Sequence, residues 1–178
     1  MRMVIVELLC LLLLLPGAVY SQEESTPWVA LRVKQLMLVN NAPAVLLVDE
    51  PEERYLLMFI SFFMANAIRM GMDGPQLERP LTHDLIGILL RQLGAKVTKI
   101  KITELKDNTY YALISVQVNG EVAEFDARPS DALAIAVRNG APIFADHTLL
   151  KPVDASLRGE EEGAPVLPLE EEGSKGKT

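Results

Sequence analysis

From residue 31 onward the apolar positions of this chain fall into short blocks separated by turn chemistry, and the period changes from block to block. Residues 31–39 are an apolar run interrupted by Arg32 and Lys34, which predicts a strand. Asn40-Asn41-Ala42-Pro43 then supplies turn residues. Residues 44–48 and 54–60 predict two further strands, divided by the charged turn Asp49-Glu50-Pro51-Glu52-Glu53. Residues 62–72 are apolar nearly all round, with Asn66 and Arg69 as the polar breaks, which predicts a helix that is buried or lies in an interface. Leu85, Ile86, Leu89, Leu90 and Leu93 form one helical stripe, with Thr82 as the expected N-cap and Gly94 as the residue beyond the end. Period two returns afterwards. Thr98, Ile100 and Ile102 share one face of a strand, and Tyr110, Ala112, Ile114, Val116 and Val118 share one face of the next. Asn119-Gly120 is the strongest hairpin signal in the chain and leads into a strand over 121–126. A small-residue helix is expected over 130–139 with Ser130 as its cap, and residues 142–145 and 148–153 close the domain.

The order is three strands, two helices, three strands and a helix, so the expected class is α+β with a mostly antiparallel sheet. It also suggests duplication of a β3-α2-like unit. Setting residues 55–71 beside 122–138 lays Met64-Ala65-Asn66-Ala67-Ile68 over Asp131-Ala132-Leu133-Ala134-Ile135.

Charge and targeting divide the chain further. The formal net charge is −7, but residues 32–153 hold 13 Lys/Arg against 14 Asp/Glu, so the acidity lies in the flanks. Residues 1–21 read as a secretory signal: an unbroken apolar run over 8–15, then Pro16-Gly17, with cleavage expected after Ser21. Export to the periplasm or outside the cell follows, and an uncleaved membrane anchor is the alternative. Residues 22–31 read as a linker, 32–153 as the domain and 154–178 as a disordered acidic tail. Cys10, the single cysteine, lies inside the apolar run, so neither a lipid anchor, a disulfide nor thiol chemistry is expected of the mature chain. No basic stripe with interleaved aromatics is present, which predicts weak nucleic-acid binding at most.

Two polar knots carry the candidate chemistry. Arg79-Pro80-Leu81-Thr82-His83-Asp84 opens one helix, and Asp126-Ala127-Arg128-Pro129-Ser130-Asp131 joins a strand to another. Capping explains Thr82, Asp84, Ser130 and Asp131, but not His83 or the extra charges. His83 has the chemistry of a general base, a proton donor or a metal ligand. Asp84, Asp126 and Asp131 are suited to a hard divalent cation, Mg²⁺ or Mn²⁺, and Arg79 and Arg128 to phosphate oxygens. His147 reads as a surface or capping residue.

The two knots, with Leu93-Gly94-Ala95 and Pro142-Ile143, resemble the signature motifs of the bifunctional nuclease domain family over about residues 32–151. The resemblance implies a repeated strand–helix fold with a barrel-like sheet, and metal-assisted hydrolysis of DNA or RNA. No small-molecule cofactor is expected. On the chemistry of the two knots His83, Asp84, Asp126 and Asp131 are the expected catalytic residues, and Arg79, Arg128 and Ser130 the expected substrate-binding ones. The chain departs from the family pattern at the first helix, where Ser61 and Met64-Ala65 stand in place of a Gly and a Glu-Ala pair. Methionine is neither a hard-metal ligand nor a base. A catalytically weakened binding or scaffold domain therefore stays open, as does an oligomeric envelope protein associating through residues 59–64.

Overall fold

The structure, a computed structural model, describes residues 27–75 and 77–153. The expected signal sequence and acidic tail lie outside them. Among the described residues no helix is long and apolar enough to cross a membrane.

Two three-strand meanders build the sheet. β1 (Trp28–Val39), β2 (Ala42–Val48) and β3 (Arg54–Phe59) form the first, and β4 (Ala95–Lys106), β5 (Thr109–Val118) and β6 (Glu121–Ala127) form the second. Helix α1 (Phe62–Met72) follows the first meander and is succeeded by α2 (Thr82–Gln92); α3 (Pro129–Asn139) follows the second. β7 (Ile143–Asp146) joins the meanders, lying parallel to β4 and antiparallel to β1. A short β8 (Lys151–Pro152) closes the order β6-β5-β4-β7-β1-β2-β3-β8. The fold is α+β and mostly antiparallel, as expected. The sheet is open, ending at β6 and β8, and does not close into the expected barrel.

Turn chemistry sets the meander registers. Asn40-Asn41, Asp107-Asn108 and Asn119-Gly120 all take positive φ at both positions, the geometry that matches the twist of a two-residue hairpin. Several boundaries differ from the pattern-based expectation, and β2 begins at Ala42, inside the expected turn. β1 starts at Trp28, inside the stretch taken for linker, because Trp28–Leu31 pairs with β7 and Leu31 is buried. Residues 147–149 form a 3₁₀ turn, leaving only two residues for the last strand.

The helices share one face of the sheet. Ile100, Ile102, Ala112, Ile114 and Val116 form the sheet side of the core, and Ala132 to Ala136 form the helix side. The alanines let α3 approach closely, and Ala65 and Ile68 of α1 meet it with no exposed surface. Each fully buried Leu or Ile here contributes roughly 1.5–3 kcal/mol. Met64 packs against the same core. Its apolar contact accounts for a methionine at this position, while the α1 N-cap is Ser61, whose Oγ accepts from Met64 N at 3.2 Å.

Candidate active site

The first turns of α2 and α3 meet. His83 stands second in α2 and Asp131 third in α3, and His83 Nε2 lies 3.2 Å from Asp131 Oδ1. Arg128 Nε donates to Asp131 Oδ2 at 2.6 Å. Asp131 is thus held on both oxygens. Burial pushes its carboxyl up, and the Arg128 and His83 hydrogen bonds outweigh that, leaving it below the ordinary carboxylate range. Asp131 in turn raises the Arg128 guanidinium.

Asp84 is also held on both oxygens. Oδ2 accepts from Leu81 N at 2.9 Å, and Oδ1 accepts from Arg138 Nε. Burial pushes the carboxyl up, and the Arg138 and Leu81 hydrogen bonds bring it below its ordinary value. Neither helix is capped as expected. The N-caps are Leu81 and Arg128, and neither Thr82 nor Ser130 makes a side-chain cap bond. The Asp84 carboxylate satisfies the Leu81 N–H from within the first turn instead, and Pro129 fills the position where an N–H would lack a partner.

Arg138 was not evident in the sequence and is the most connected side chain of the site. Besides Asp84 it donates from Nη1 to Ala67 O at 2.7 Å and Ala134 O at 2.9 Å, which ties α1, α2 and α3 together. The close approach requires Gly71: a Cβ there would stand 2.5 Å from Arg138 Nη1 and 2.6 Å from Val137 Cγ2. The detectable signal is helical spacing, since Arg138 lies one turn beyond Ala134 on the buried side of α3.

His83, Asp84 and Arg138 line a cleft of about 480 Å³, and Arg79 and Arg91 line it with them. Neither Arg79 nor Arg91 has a carboxylate partner among the described residues.

Asp126 is not brought to this cluster. In the β5–β6 ladder it stands opposite Leu113, while Ile114 and Val116 stand opposite Phe125 and Ala123. Residues directly opposite share a face. Ile114 and Val116 point to the helices, so Asp126 points to the other side of the sheet, beside Glu124, which accepts from Ser115 Oγ and Lys101 Nζ. The expected metal triad of Asp84, Asp126 and Asp131 is therefore not assembled. Two of its members spend both oxygens on protein donors, and among the described residues no three His, Cys, Asp or Glu side chains are grouped to hold a metal ion. These residues do not fit the Mg²⁺ or Mn²⁺ site expected of them. His147 is exposed in the 3₁₀ turn, where Asp146 Oδ1 caps Thr148 N at 2.9 Å.

Comparison with known proteins agrees with the motifs. The family model of the bifunctional nuclease domain matches residues 45–158, and the chain belongs to that family. An uncharacterized protein of Mycobacterium tuberculosis is 38% identical over 122 residues, covering 68% of this chain and 71% of that protein. Bifunctional nuclease 1 of Arabidopsis thaliana is 31% identical over 105 residues, 57% of this chain and 32% of the plant protein. Bifunctional nuclease 2 of the same plant is 31% identical over 112 residues, 60% of this chain and 34% of that protein.

Proposed function

We propose that this chain hydrolyses phosphodiester bonds of DNA or RNA, with His83 as the proton-transferring group and Asp131 as its orienting partner. The observation that carries this reading is the 3.2 Å contact between His83 Nε2 and Asp131 Oδ1 at the edge of an arginine-bearing cleft, in a member of a nuclease family. When Nε2 carries the proton and donates it to Asp131, the lone pair of Nδ1 is free to accept a proton from water. The water oxygen then bonds to phosphorus, the ester P–O bond breaks, and the departing oxygen takes the proton held by the His83 imidazolium, which returns the ring to its neutral form. Asp131, kept ionised by Arg128, stabilises the imidazolium that forms in between. Arg79 and Arg128 neutralise the phosphate oxygens on which charge develops. Asp84 serves through Arg138, fixing the first turn of α2 on which His83 sits.

No step runs through a metal ion, because the three expected carboxylates do not converge. Metal dependence is read directly by running cleavage in Mg²⁺, Mn²⁺ and EDTA. The test of the reading is cleavage of labelled single- and double-stranded DNA and RNA by the wild type and His83→Asn. Export through residues 1–21 is part of the same proposal, and fractionation of cells producing the full chain tests it.

One observation favours association of copies as well. Phe59 at the end of β3 and Phe62 and Phe63 at the start of α1 are 61%, 58% and 88% exposed. Apolar surface of this kind marks an interface. Sedimentation of the wild type beside Phe63→Glu tests it, with a smaller species expected for the variant.

A further inference from the structure

Helix α2 is apolar on two sides. Ile86 and Leu90 pack against the core. Leu81, Leu85, Leu89 and Leu93 recur every fourth residue from the N-cap to the C-cap and are 38%, 46%, 52% and 74% exposed. Residues four apart stand on one ridge, which here runs about 18 Å by the rise of the helix. An uncovered leucine ridge of that length is a docking face. Cations stand beyond both of its ends: Arg79 shortly before Leu81, and Lys96 shortly after Leu93, with Arg91 in the last turn. All three are exposed, and none has a carboxylate partner among the described residues. Leu81 and Arg79 also line the His83 cleft, so the ridge runs up to its rim.

The same chain carries a segment with the complementary pattern. Val166-Leu167-Pro168-Leu169 lies between Glu160-Glu161-Glu162 and Glu170-Glu171-Glu172. Glu162 and Glu170 are eight positions apart, about 26 Å of extended chain. The apolar quartet therefore fits within the ridge, and the carboxylates fall past its ends, where the cations are. Val166 is 13 positions beyond Val153, the last described residue. That is a reach of up to about 45 Å, against a radius of gyration of about 14 Å for a domain of this length. The phenylalanine patch at 59–63 does not offer such charges: Arg54, before it, is paired with Asp49, and Arg69, after it, donates to Asn66 at 2.6 Å.

We infer that residues 160–172 dock in cis on the Leu81–Leu93 ridge of α2, with Val166, Leu167 and Leu169 on the leucines and the glutamate triplets at the cations of its two ends. Carboxylates drawn to Arg79 then compete for that guanidinium with the phosphates of a strand entering the cleft. The docking is independent of the nuclease reading, and this competition rests on it.

The test is disulfide closure in the full chain carrying Cys10→Ser, so that the only thiols are the introduced ones. In oxidised glutathione, Leu89→Cys with Leu167→Cys is expected to close within one chain about tenfold faster than Phe63→Cys with Leu167→Cys, because docking raises the effective concentration of the first pair. Mass spectrometry after alkylation reads both rates. Equal rates, no closure, or a disulfide joining two copies would overturn the docking. Strand binding is read separately, by anisotropy of labelled single-stranded DNA and RNA. Leu167→Asp with Leu169→Asp adds two negative charges, so repulsion alone predicts weaker binding. Release of the segment is expected to tighten it by about tenfold, the factor for a segment docked about nine-tenths of the time. Unchanged or weaker binding by this variant would overturn the competition. Closure of the Leu89→Cys pair in a chain that neither binds nor cuts strands removes the nuclease reading and keeps the docking.

Discussion

His83 Nε2 and Asp131 Oδ1 stand 3.2 Å apart although the residues are 48 positions apart in the chain. The pair forms because α2 and α3 both begin at this point on the same face of the sheet. Asp131→Asn keeps the size of the side chain and removes its charge. With the imidazolium no longer stabilised, cleavage is expected to fall about a hundredfold or more, the usual range for a general acid–base contribution. A purely structural Asp131 would lower the melting temperature and leave cleavage by the folded protein in place.

Arg138 joins three helices through one guanidinium, and Gly71 gives it room. Arg138→Met leaves Asp84 without its cation. Asp84 is 36% exposed, so the loss is expected near the lower end for a broken buried pair, about 3 kcal/mol. Gly71→Ala is expected to cost about 1–3 kcal/mol by forcing the same guanidinium aside. Urea midpoints of both variants check this, and wild-type midpoints would show that the tie is not holding the helices.

Acid stability follows from the carboxyls held below their ordinary range. Asp49 is one, its desolvation outweighed by the Arg54 and Glu53 backbone N–H groups and the Arg54 guanidinium; Asp84 and Asp131 are the others. Each has a lower pKa folded than unfolded, so the unfolded chain binds more protons as pH falls. The stability they contribute is complete above the unfolded carboxylate range, around pH 4, and is lost as pH falls through their folded values. Melting temperature should be flat from pH 7 to about 5 and drop steeply below. Asp49→Asn should melt lower at pH 7 and show a shallower acid drop.

Asp126→Ala is expected to leave cleavage close to wild type, because that side chain faces away from the helices that carry His83 and Asp131. Strand cleavage by this variant, measured beside Asp131→Asn, separates the two aspartates of the second knot. Loss of activity in Asp126→Ala would place the site on the other face of the sheet.

That placement was legible in the sequence. A two-residue turn at Asn119-Gly120 sets Val118 opposite Glu121, and the ladder then puts Asp126 opposite Leu113, out of phase with the face of Tyr110, Ala112, Ile114 and Val116. Strand periods and helix stripes likewise disclosed most elements, since local pattern fixes them. The helix caps differ from the expected Thr82 and Ser130 because neighbouring residues do their work: Asp84 caps Leu81 from inside α2, and Pro129 removes a donor in α3. The openness of the sheet depends on how strands coil over their whole length, and no single segment records it. The Asp84–Arg138 pair spans 54 positions and forms only when the helices pack. Its one sequence trace is an arginine on the buried stripe of an alanine-rich helix.

The most direct measurement is cleavage of labelled single- and double-stranded DNA and RNA by wild type and His83→Asn, each in Mg²⁺, Mn²⁺ and EDTA, with folding checked by circular dichroism. A nuclease built on the His83–Asp131 pair predicts cutting by wild type that is lost in a folded His83→Asn that still binds strands. Equal cutting by both proteins, or none by a folded wild type under any condition, would contradict it.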